Sequence, residues 1–242
     1  MSEGYVDLHC HYLPGIDDGV RTLDEGIRVL AGLRGLGYAK VIATPHIRTA
    51  MFDNRKPGLE RAYAEARGIL DGVPDLPETG LAAEHYCDDV FWQLFQDGEA
   101  LPYPGGKAAL VEFHYEVWPQ RVEEVFFEMQ VKGVRPVLAH PERYAALGRK
   151  TDPLDPLLDV GCVALLDLMS LVGRYGRRAQ KAAERMLDEG VYYAACSDTH
   201  RPEDVPRVGE AIERLKDLVG EEETEELLSE NPRRVLAGEV IL

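Results

Sequence analysis

The chain is poor in the features that mark secreted, membrane and thiol-dependent proteins. Among 242 residues only Cys10, Cys87, Cys162 and Cys196 are cysteines, and no two of them form a Cys-x-x-Cys pair. This spacing argues against a disulfide framework and against a thiolate metal site. No apolar run approaches the ~20 residues of a membrane span, and the N-terminal residues lack a signal-peptide pattern. We therefore expect a cytoplasmic protein with reduced cysteines and no membrane insertion.

Positive charge is also scarce. The sequence has 27 Lys and Arg residues against 43 Asp and Glu, which gives a formal net charge of −16. Nucleic acids and anionic membrane surfaces attract basic proteins, so neither is expected as a partner. A phosphorylated substrate remains compatible with this charge, because a bound cation reverses the local field. The apolar fraction of 45% supports a large core, and the length suits a single domain over residues 1–242.

Short apolar runs alternate with amphipathic stretches along the whole chain. Apolar runs bounded by turns fit a parallel sheet covered on both faces, and the alternation predicts a β/α barrel or a doubly wound sheet. A capping box of Thr22 and Glu25 opens the first predicted helix. The predicted strands are residues 5–9, 40–44, 81–84, 108–113, 136–140, 163–168 and 192–197. The predicted helices are residues 23–37, 119–133, 177–190 and 206–220, with an acidic turn of a terminal helix at 221–226 and a surface loop at 97–107.

Nearly every predicted strand is followed by a side chain that can bind a metal ion. In β/α barrels the carboxyl ends of the strands meet around one mouth, so these side chains are expected to converge. His9 and His11, at positions i and i+2 of an extended segment, point the same way and can hold one ion. The nine candidate ligands are His9, His11, Asp18, His46, Glu84, Glu112, His140, Asp198 and His200.

The types of ligand indicate the metals and the chemistry. Imidazole and carboxylate without thiolate suit Mn²⁺, Fe²⁺ or Zn²⁺, and nine ligands imply two or three ions. Clustered carboxylates would repel one another without cations between them. Neighbouring ions lower the pKa of a shared water from 15.7 to ~7 and stabilise both oxygens of a phosphate displacement. Arg143 and Arg201 are predicted to clamp phosphate oxygens, with His200 as a further catalytic candidate.

Several polar residues near these motifs receive a structural interpretation. Asp7 is expected to orient a neighbouring group, and Asp17 to be a turn residue beside Asp18. His85 and His114 stand outside any motif and are expected at the surface or behind the ligands. The cysteines beside the ligands, Cys10 and Cys196, are interpreted as small apolar packing residues.

Taken together, the motifs resemble the polymerase and histidinol phosphatase (PHP) superfamily. More narrowly, they are similar to the manganese-dependent bacterial tyrosine phosphatases associated with capsule and exopolysaccharide synthesis. The resemblance spans almost the whole chain in the right order. It rests on Asp7-Leu8-His9-Cys10-His11, Pro14-Gly15-Ile16-Asp17-Asp18-Gly19, Thr44-Pro45-His46, Ala83-Glu84, Val111-Glu112-Phe113, His140-Pro141-Glu142-Arg143-Tyr144, Ser197-Asp198-Thr199-His200 and Asn231-Pro232-Arg233.

The resemblance implies a single-domain, distorted seven-stranded (β/α)7 barrel with three metals, most often Mn²⁺. It implies hydrolysis of phosphotyrosine on a partner tyrosine kinase that controls polysaccharide export. By motif position one ion takes His9, His11, Glu84 and Asp198, a second Glu84, Glu112 and His140, and the third Asp18, His46 and His200.

The sequence departs from this family pattern at two places, and three other functions stay open. The segment 113–120 differs from the usual one, and the short loop after His200 leaves Arg201 or Arg207 as the second phosphate-binding arginine. The first alternative is a small-molecule phosphatase acting on histidinol phosphate or a nucleotide. The second is a metal-dependent amidohydrolase or deoxyribonuclease, and the third a non-catalytic barrel.

Overall fold

The computed structural model describes residues 4–241, in which parallel strands alternate with helices. The strands are β1 (Tyr5–Cys10), β2 (Tyr38–Ala43), β3 (His46–Ile47), β4 (Glu78–Leu81), β5 (Glu84–Tyr86), β6 (Ala108–Glu112), β7 (Arg135–Ala139), β8 (Val163–Asp167) and β9 (Tyr192–Cys196). The α-helices are α1 (Leu23–Gly35), α2 (Lys56–Leu70), α3 (Asp89–Gln96), α4 (Val122–Val131), α5 (Asp155–Asp159), α6 (Gly176–Asp188), α7 (Val205–Glu225) and α8 (Asn231–Ala237). The chain is therefore a single α/β unit, as predicted.

The strands form two parallel sheets, in the orders β1-β2-β4 and β3-β5-β6-β7-β8-β9. The second and third predicted strands are each interrupted, so that β3 continues β2 and β5 continues β4. Pro45 lies at the first interruption and has no N–H to donate to a neighbouring strand. Backbone hydrogen bonds still cross the break, from Ala82 N to Ala43 O at 2.8 Å and from Glu84 N to Pro45 O at 3.1 Å. The two sheets thus follow one another without a change of direction.

The first and last strands also come together at their carboxyl ends. Asp198 N donates to His9 O and His11 N donates to Thr199 O, both at 2.9 Å. The side chain of Asp7 adds a link between the strands, because it accepts a hydrogen bond from Ser197 N at 3.0 Å. These contacts bring residues that follow β9 beside the end of β1, on the side of the molecule where all strands finish.

Helix boundaries agree with the sequence pattern in some places and differ in others. Thr22 caps α1 by accepting a hydrogen bond from Glu25 N at 3.2 Å. Gly220, with φ 85° and ψ 173°, breaks α7 where the acidic turn was expected to begin. Helix α4 begins after Arg121 rather than at Pro119. The sequence pattern does not predict α2 or α3.

Among the described residues, no helix combines the length and apolar character that a membrane crossing needs.

Apolar side chains pack in two main layers. The larger cluster lies between the sheets and the helices and includes Leu30 of α1 and Met186 of α6. The second, which we call the inner apolar cluster, takes alternate residues from the strands on the opposite face of the sheets; it includes Leu8, Ile42, Leu110, Val137, Leu165 and Ala194. The segment 97–107 is irregular, as predicted, but it is not only a surface loop. Tyr103 is buried in the second cluster and donates its hydroxyl to Leu8 O at 2.9 Å.

The four cysteines are unpaired, and Cys10, Cys162 and Cys196 are buried. Burial raises the pKa of the Cys10 and Cys196 thiols well above their ordinary value. Buried thiols of this kind are poor nucleophiles, which agrees with their interpretation as packing residues.

Candidate metal centre

The nine side chains predicted to bind metal lie together at the end of the sheets where the strands finish. Because the strands are parallel, residues at or just beyond their carboxyl ends are brought to one edge. Ligand atoms of these residues lie within 4.8 Å of one another in four overlapping groups. The groups are His11–Asp18–His46–His200, His9–His11–Glu84, His9–His140–Asp198 and His46–Glu84–Glu112.

The set expected for the first ion has the spacing of ligands that share one metal. His9 Nε2 lies 3.1 Å from His11 Nε2, 3.1 Å from Glu84 Oε2 and 3.2 Å from Asp198 Oδ1. His11 Nε2 lies 3.5 Å from Glu84 Oε2 and 3.3 Å from Asp198 Oδ1. Two atoms bound at about 2.1 Å to one ion, at 90–109°, are about 3.0–3.4 Å apart. These five distances therefore match those between ligands of one cation, and Asp198 also groups with His9 and His140.

The set expected for the second ion is arranged differently. Glu84 is central to it, since Oε1 lies 3.0 Å from His140 Nε2 and Oε2 lies 3.0 Å from His46 Nδ1. Glu112 Oε1, however, lies 3.3 Å from His46 Nδ1, and His140 groups with His9 and Asp198. His46 therefore lies between the second and third expected sets, and the division of ligands among ions stays a prediction.

The third expected set lies at the rim of the cluster. Asp18 Oδ1 is 3.5 Å from His46 Nε2 and 3.5 Å from His200 Nε2. The side chain of Asp18 is 55% exposed, so it faces the solvent-filled mouth. The imidazole of His11 stacks on that of His200 at 4.1 Å between ring centroids and joins this group to the first one.

Hydrogen bonds behind the cluster orient two of the imidazoles. Asp17 Oδ2 lies 2.8 Å from His11 Nδ1, and the carbonyl of Asp198 lies 2.8 Å from His200 Nδ1. In each ring an acceptor holds the proton on Nδ1, which leaves the Nε2 lone pair facing the cluster. Asp17 was expected only to shape a turn. It does accept from Gly19 N at 2.9 Å, and it also positions a predicted ligand.

Two more carboxylates fix the loops that carry predicted metal ligands. Asp7 accepts hydrogen bonds from His9 N at 3.3 Å and from Ser197 N at 3.0 Å, in keeping with the orienting role expected for it. Asp204 accepts from His200 N at 3.2 Å and from Arg201 N at 3.0 Å. The loop after β9 is therefore fixed on both sides of Asp198 and His200.

The charges in the cluster act strongly on one another. Burial raises the pKa of Glu112, and the neighbouring charge of Glu84 raises it further. Burial would also raise the pKa of Asp198, but His9 and Arg143 lower it well below its ordinary value. Burial, together with Arg143, lowers the pKa of His140 to about 4, so that its imidazole is neutral and able to ligate. Packed carboxylates of this kind require nearby positive charge.

The residues present fit divalent cations. Among residues 4–241, buried polar atoms without a hydrogen-bond partner include His46 Nδ1, Glu112 Oε1 and Asp198 Oδ1. Each of these atoms belongs to the cluster, and a buried polar atom left without a partner is costly. All nine donors are nitrogen or oxygen, which matches Mn²⁺, Fe²⁺ or Zn²⁺. Ligation to a cation would satisfy all three atoms.

The predicted arginines lie beside the cluster. Arg143 is bonded to both Asp167 and Asp198, and its guanidinium stacks 3.7 Å from the ring centre of Tyr175. Arg201 donates to the carbonyl of Gly19. Arg143 and Arg201 both line a cavity of about 340 Å³ above the cluster. Arg207, the alternative to Arg201, is exposed on α7 and is not among the residues lining this cavity.

Sequence reasoning missed several residues of this cavity. Arg174 and Tyr175 follow β8, and Tyr115 follows β6; all three line the cavity. Asp167, which ends β8 and binds Arg143, was missed as well. Their position along the chain could have indicated them, because they lie at or after the end of a strand as the predicted ligands do. None of them belongs to a histidine motif, and for this reason they were not predicted.

The two histidines without a motif have different positions. His114 is exposed, as expected. His85 is buried, accepts a hydrogen bond from Leu101 N at 3.1 Å and donates through Nδ1 to Leu110 O at 2.9 Å. Burial lowers its pKa to about 4, so it is a neutral structural histidine rather than a surface residue.

Comparison with known proteins gives the family. Residues 5–237 match the model of the capsular polysaccharide synthesis CpsB/CapC family. The tyrosine-protein phosphatase YwqE of Bacillus subtilis is 27% identical over 81% of this chain and 77% of its own length. The tyrosine-protein phosphatase CpsB of Streptococcus pneumoniae is 24% identical over 98% of this chain and 100% of its own.

Solved structures agree with these relatives. A chain from the crystal structures of YwqE from Bacillus subtilis and CpsB from Streptococcus pneumoniae, described as metal-dependent tyrosine phosphatases, superposes with a TM-score of 0.90. It is 25% identical, and the match covers 98% of this chain and 96% of that one. A prolidase matches with a TM-score of 0.60 at 10% identity, which shows a shared fold alone. The chain described here is a member of the CpsB/CapC family.

Proposed function

We propose that this protein is a metal-dependent phosphatase that hydrolyses phosphate monoesters, with protein phosphotyrosine as its substrate. The observation that carries the proposal is the cavity of about 340 Å³, which is lined both by predicted metal ligands and by Arg143, Arg174 and Arg201. Phosphoryl transfer requires mainly positioning and neutralisation of charge, and this lining offers both. The names of the family relatives support the same reaction.

The nine residues predicted from the sequence would hold two or three divalent ions, with Mn²⁺ as the proposed metal. When bound, such ions lower the pKa of water and neutralise the phosphate oxygens. In the proposed sets, His9, His11, Glu84 and Asp198 share one ion, Glu84, Glu112 and His140 a second, and Asp18, His46 and His200 a third. The spacing within the first set supports this division most directly.

The chain itself binds and orients the phosphate. Arg143 is held rigid by Asp167, Asp198 and the ring of Tyr175, so its planar guanidinium is ready to bind two phosphate oxygens. Arg201 approaches from the loop after β9 and serves as the second phosphate-binding residue. His200 belongs to the same loop, and its Nε2 lies 3.5 Å from Asp18 Oδ1, where the side chain can contact both a metal and the substrate.

The biological substrate proposed here is phosphotyrosine on a tyrosine kinase that regulates capsular or exopolysaccharide synthesis. The family and the names of its members support this assignment. We further propose that the protein acts in the cytoplasm, where its four unpaired cysteines would remain reduced.

We also propose that the two sheets together form a distorted seven-stranded barrel of the PHP type within the single domain predicted over residues 1–242, of which residues 1–3 and 242 lie outside the described part. Support comes from the inner apolar cluster, which takes alternate residues from β1, β2 and β6 to β9. The bridge between Cys10 and Thr199 adds a contact between the first and last strands.

The proposal is tested by hydrolysis assays on protein purified without chelator. We expect release of phosphate from p-nitrophenyl phosphate and from a phosphotyrosine peptide, stimulated by Mn²⁺ and abolished by EDTA. Hydrolysis of the small ester alone would favour a small-molecule phosphatase, and inactivity toward both would refute phosphatase function.

The first variant to compare is His140→Ala, with His114→Ala as its control. His140 is buried and 3.0 Å from Glu84, whereas His114 is exposed and outside the cluster. We expect His140→Ala to lose turnover and bound metal while remaining folded, and His114→Ala to keep both. Full activity of His140→Ala would remove His140 from the centre.

A further inference from the structure

A second cavity adjoins the one above the metal centre. It has a volume of about 360 Å³ and is lined by Tyr115, Arg143, Tyr175, Arg178 and Ala179. Tyr115, Arg143 and Tyr175 also line the first cavity, so the two share a wall. A substrate whose phosphate binds Arg143 would therefore extend its neighbouring groups toward Arg178.

The second cavity is positively charged on an acidic protein. None of its lining residues is acidic, although the chain carries a net charge of −16. The charge of Arg143 is already compensated by Asp167 and Asp198. Arg178 is different, since Nη2 lies 3.7 Å from Glu116 Oε1 in a pair whose side chains are 53% and 68% exposed. An exposed pair of this kind is weak, so an incoming carboxylate can replace Glu116.

The position of Arg178 in its helix supports a role outside helix stability. Arg177 and Arg178 follow Gly176 in the first turn of α6, which contains no acidic residue. The positive end of the helix dipole disfavours cations there. Arg177 shares this unfavourable position, but only Arg178 also lines the second cavity, which favours a functional role for Arg178.

We propose that Arg178 is a specificity residue, which binds the carboxylate of an acidic residue adjacent to the phosphotyrosine. This inference rests on the proposed phosphatase function and adds the class of peptide that the site selects. Tyr115 and Tyr175 line both cavities and would form the wall along which the peptide lies. In the absence of substrate, the guanidinium of Arg178 pairs with the carboxylate of Glu116.

The test compares two phosphotyrosine peptides, one with Glu and one with Gln on both sides of the phosphotyrosine, together with p-nitrophenyl phosphate. The variant is Arg178→Gln, and Arg177→Gln is its matched control because Arg177 does not line the cavity. We expect the unaltered protein to prefer the Glu peptide by about five-fold in kcat/KM, mainly through KM. Arg178→Gln should lose this preference and leave the small ester unchanged, while Arg177→Gln keeps it. Glu116→Gln should increase the preference.

Equal losses on both peptides and on the small ester would overturn the proposal, because Arg178 would then act through Arg143. The absence of any preference in the unaltered protein would overturn it as well. Anisotropy of the two fluorescent peptides, measured in EDTA without turnover, separates the two proposals. A Kd ratio that depends on Arg178, in a protein that hydrolyses neither the peptides nor the small ester when Mn²⁺ is supplied, would support the carboxylate site and refute the phosphatase function.

Discussion

Replacing Asp17 by Asn tests whether a carboxylate behind the cluster controls metal binding. Asp17 Oδ2 lies 2.8 Å from His11 Nδ1 and accepts from His46 N at 3.1 Å, while Oδ1 accepts from Gly19 N at 2.9 Å. An amide has one oxygen and one NH₂ group, so it cannot accept from donors on both sides. If the NH₂ group faces His11, it donates to Nδ1 and moves the ring proton to Nε2, the atom that faces Asp198.

The size of the effect follows from these contacts. Loss of a carboxylate partner of a ligating histidine weakens metal binding about 10- to 100-fold, or about 1.4–2.7 kcal/mol. The unpaired backbone donor costs a further ~1–3 kcal/mol of folding stability. We therefore expect Asp17→Asn to bind Mn²⁺ about 10- to 100-fold more weakly and to unfold at a lower temperature in EDTA.

The assay is competition for Mn²⁺ against a chelator of known affinity, combined with thermal unfolding in EDTA. Asp53→Asn is the control, since Asp53 is exposed and accepts only from Ala50 N in the contacts observed. Activity of Asp17→Asn should return at higher Mn²⁺ concentration. An unchanged Mn²⁺ affinity would refute the reasoning, because it would mean that the Asp17–His11 contact does not set the ring orientation.

Two further predictions follow from other contacts. Arg143→Lys keeps the charge but loses the planar fork, so kcat/KM for a phosphotyrosine peptide should fall about 10- to 100-fold with the metal content unchanged; unaltered kinetics would exclude a clamp at Arg143. Tyr103→Phe removes the hydrogen bond to Leu8 O and should lower the free energy of unfolding by about 1–2 kcal/mol in a denaturant titration. Because Tyr103 lies in the inner apolar cluster, kcat should stay constant, and a changed metal content would contradict this interpretation.

The convergence of the predicted ligands was accessible from sequence because it needs only the order of strands and helices. Parallel strands joined by helices bring their carboxyl ends to one side, whatever the details of the loops. Residues from distant parts of the chain, such as His9 and Asp198, can therefore be placed together from the sequence alone. The division of ligands among ions was less accessible, since it depends on rotamers such as that of His46.

The interruptions of two strands were not predicted. Apolar residues continue through Ala82 and Ala83, so the pattern gives no sign of the break between β4 and β5. Helix α2 was missed for a different reason: only Leu59, Ala66 and Leu70 are buried, and most of its surface is charged or small. Both features depend on tertiary contacts more than on local periodicity.

The residues that contact the predicted ligands could not be predicted from local sequence patterns either. The sequence around Asp17 is typical of a turn. Its contact with His11 depends on the path of the loop in three dimensions, which the sequence pattern does not show. Asp167 is a clearer case, since it is the last residue but one of the predicted strand 163–168, as Glu112 is of the predicted strand 108–113. No histidine motif adjoins Asp167, and its partner is the side chain of Arg143, so the sequence gives no sign of its role.

Backbone strain at two predicted metal ligands connects the fold to the candidate site. His140 has φ 37° and Asp198 has φ 45°, in the left-handed region that side chains other than glycine rarely adopt. Each residue comes just after a strand, where the chain turns from the sheet toward the next helix. Glycine would relieve the strain at either position but would remove a side chain that the cluster contains. Strain of about 1–3 kcal/mol per residue persists where the surrounding structure holds it, and it concentrates at functional sites. The two strained residues are the ones whose side chains contact the proposed binding groups. His140 contacts Glu84, on which metal binding is proposed to depend, and Asp198 contacts Arg143, on which phosphate binding is proposed to depend.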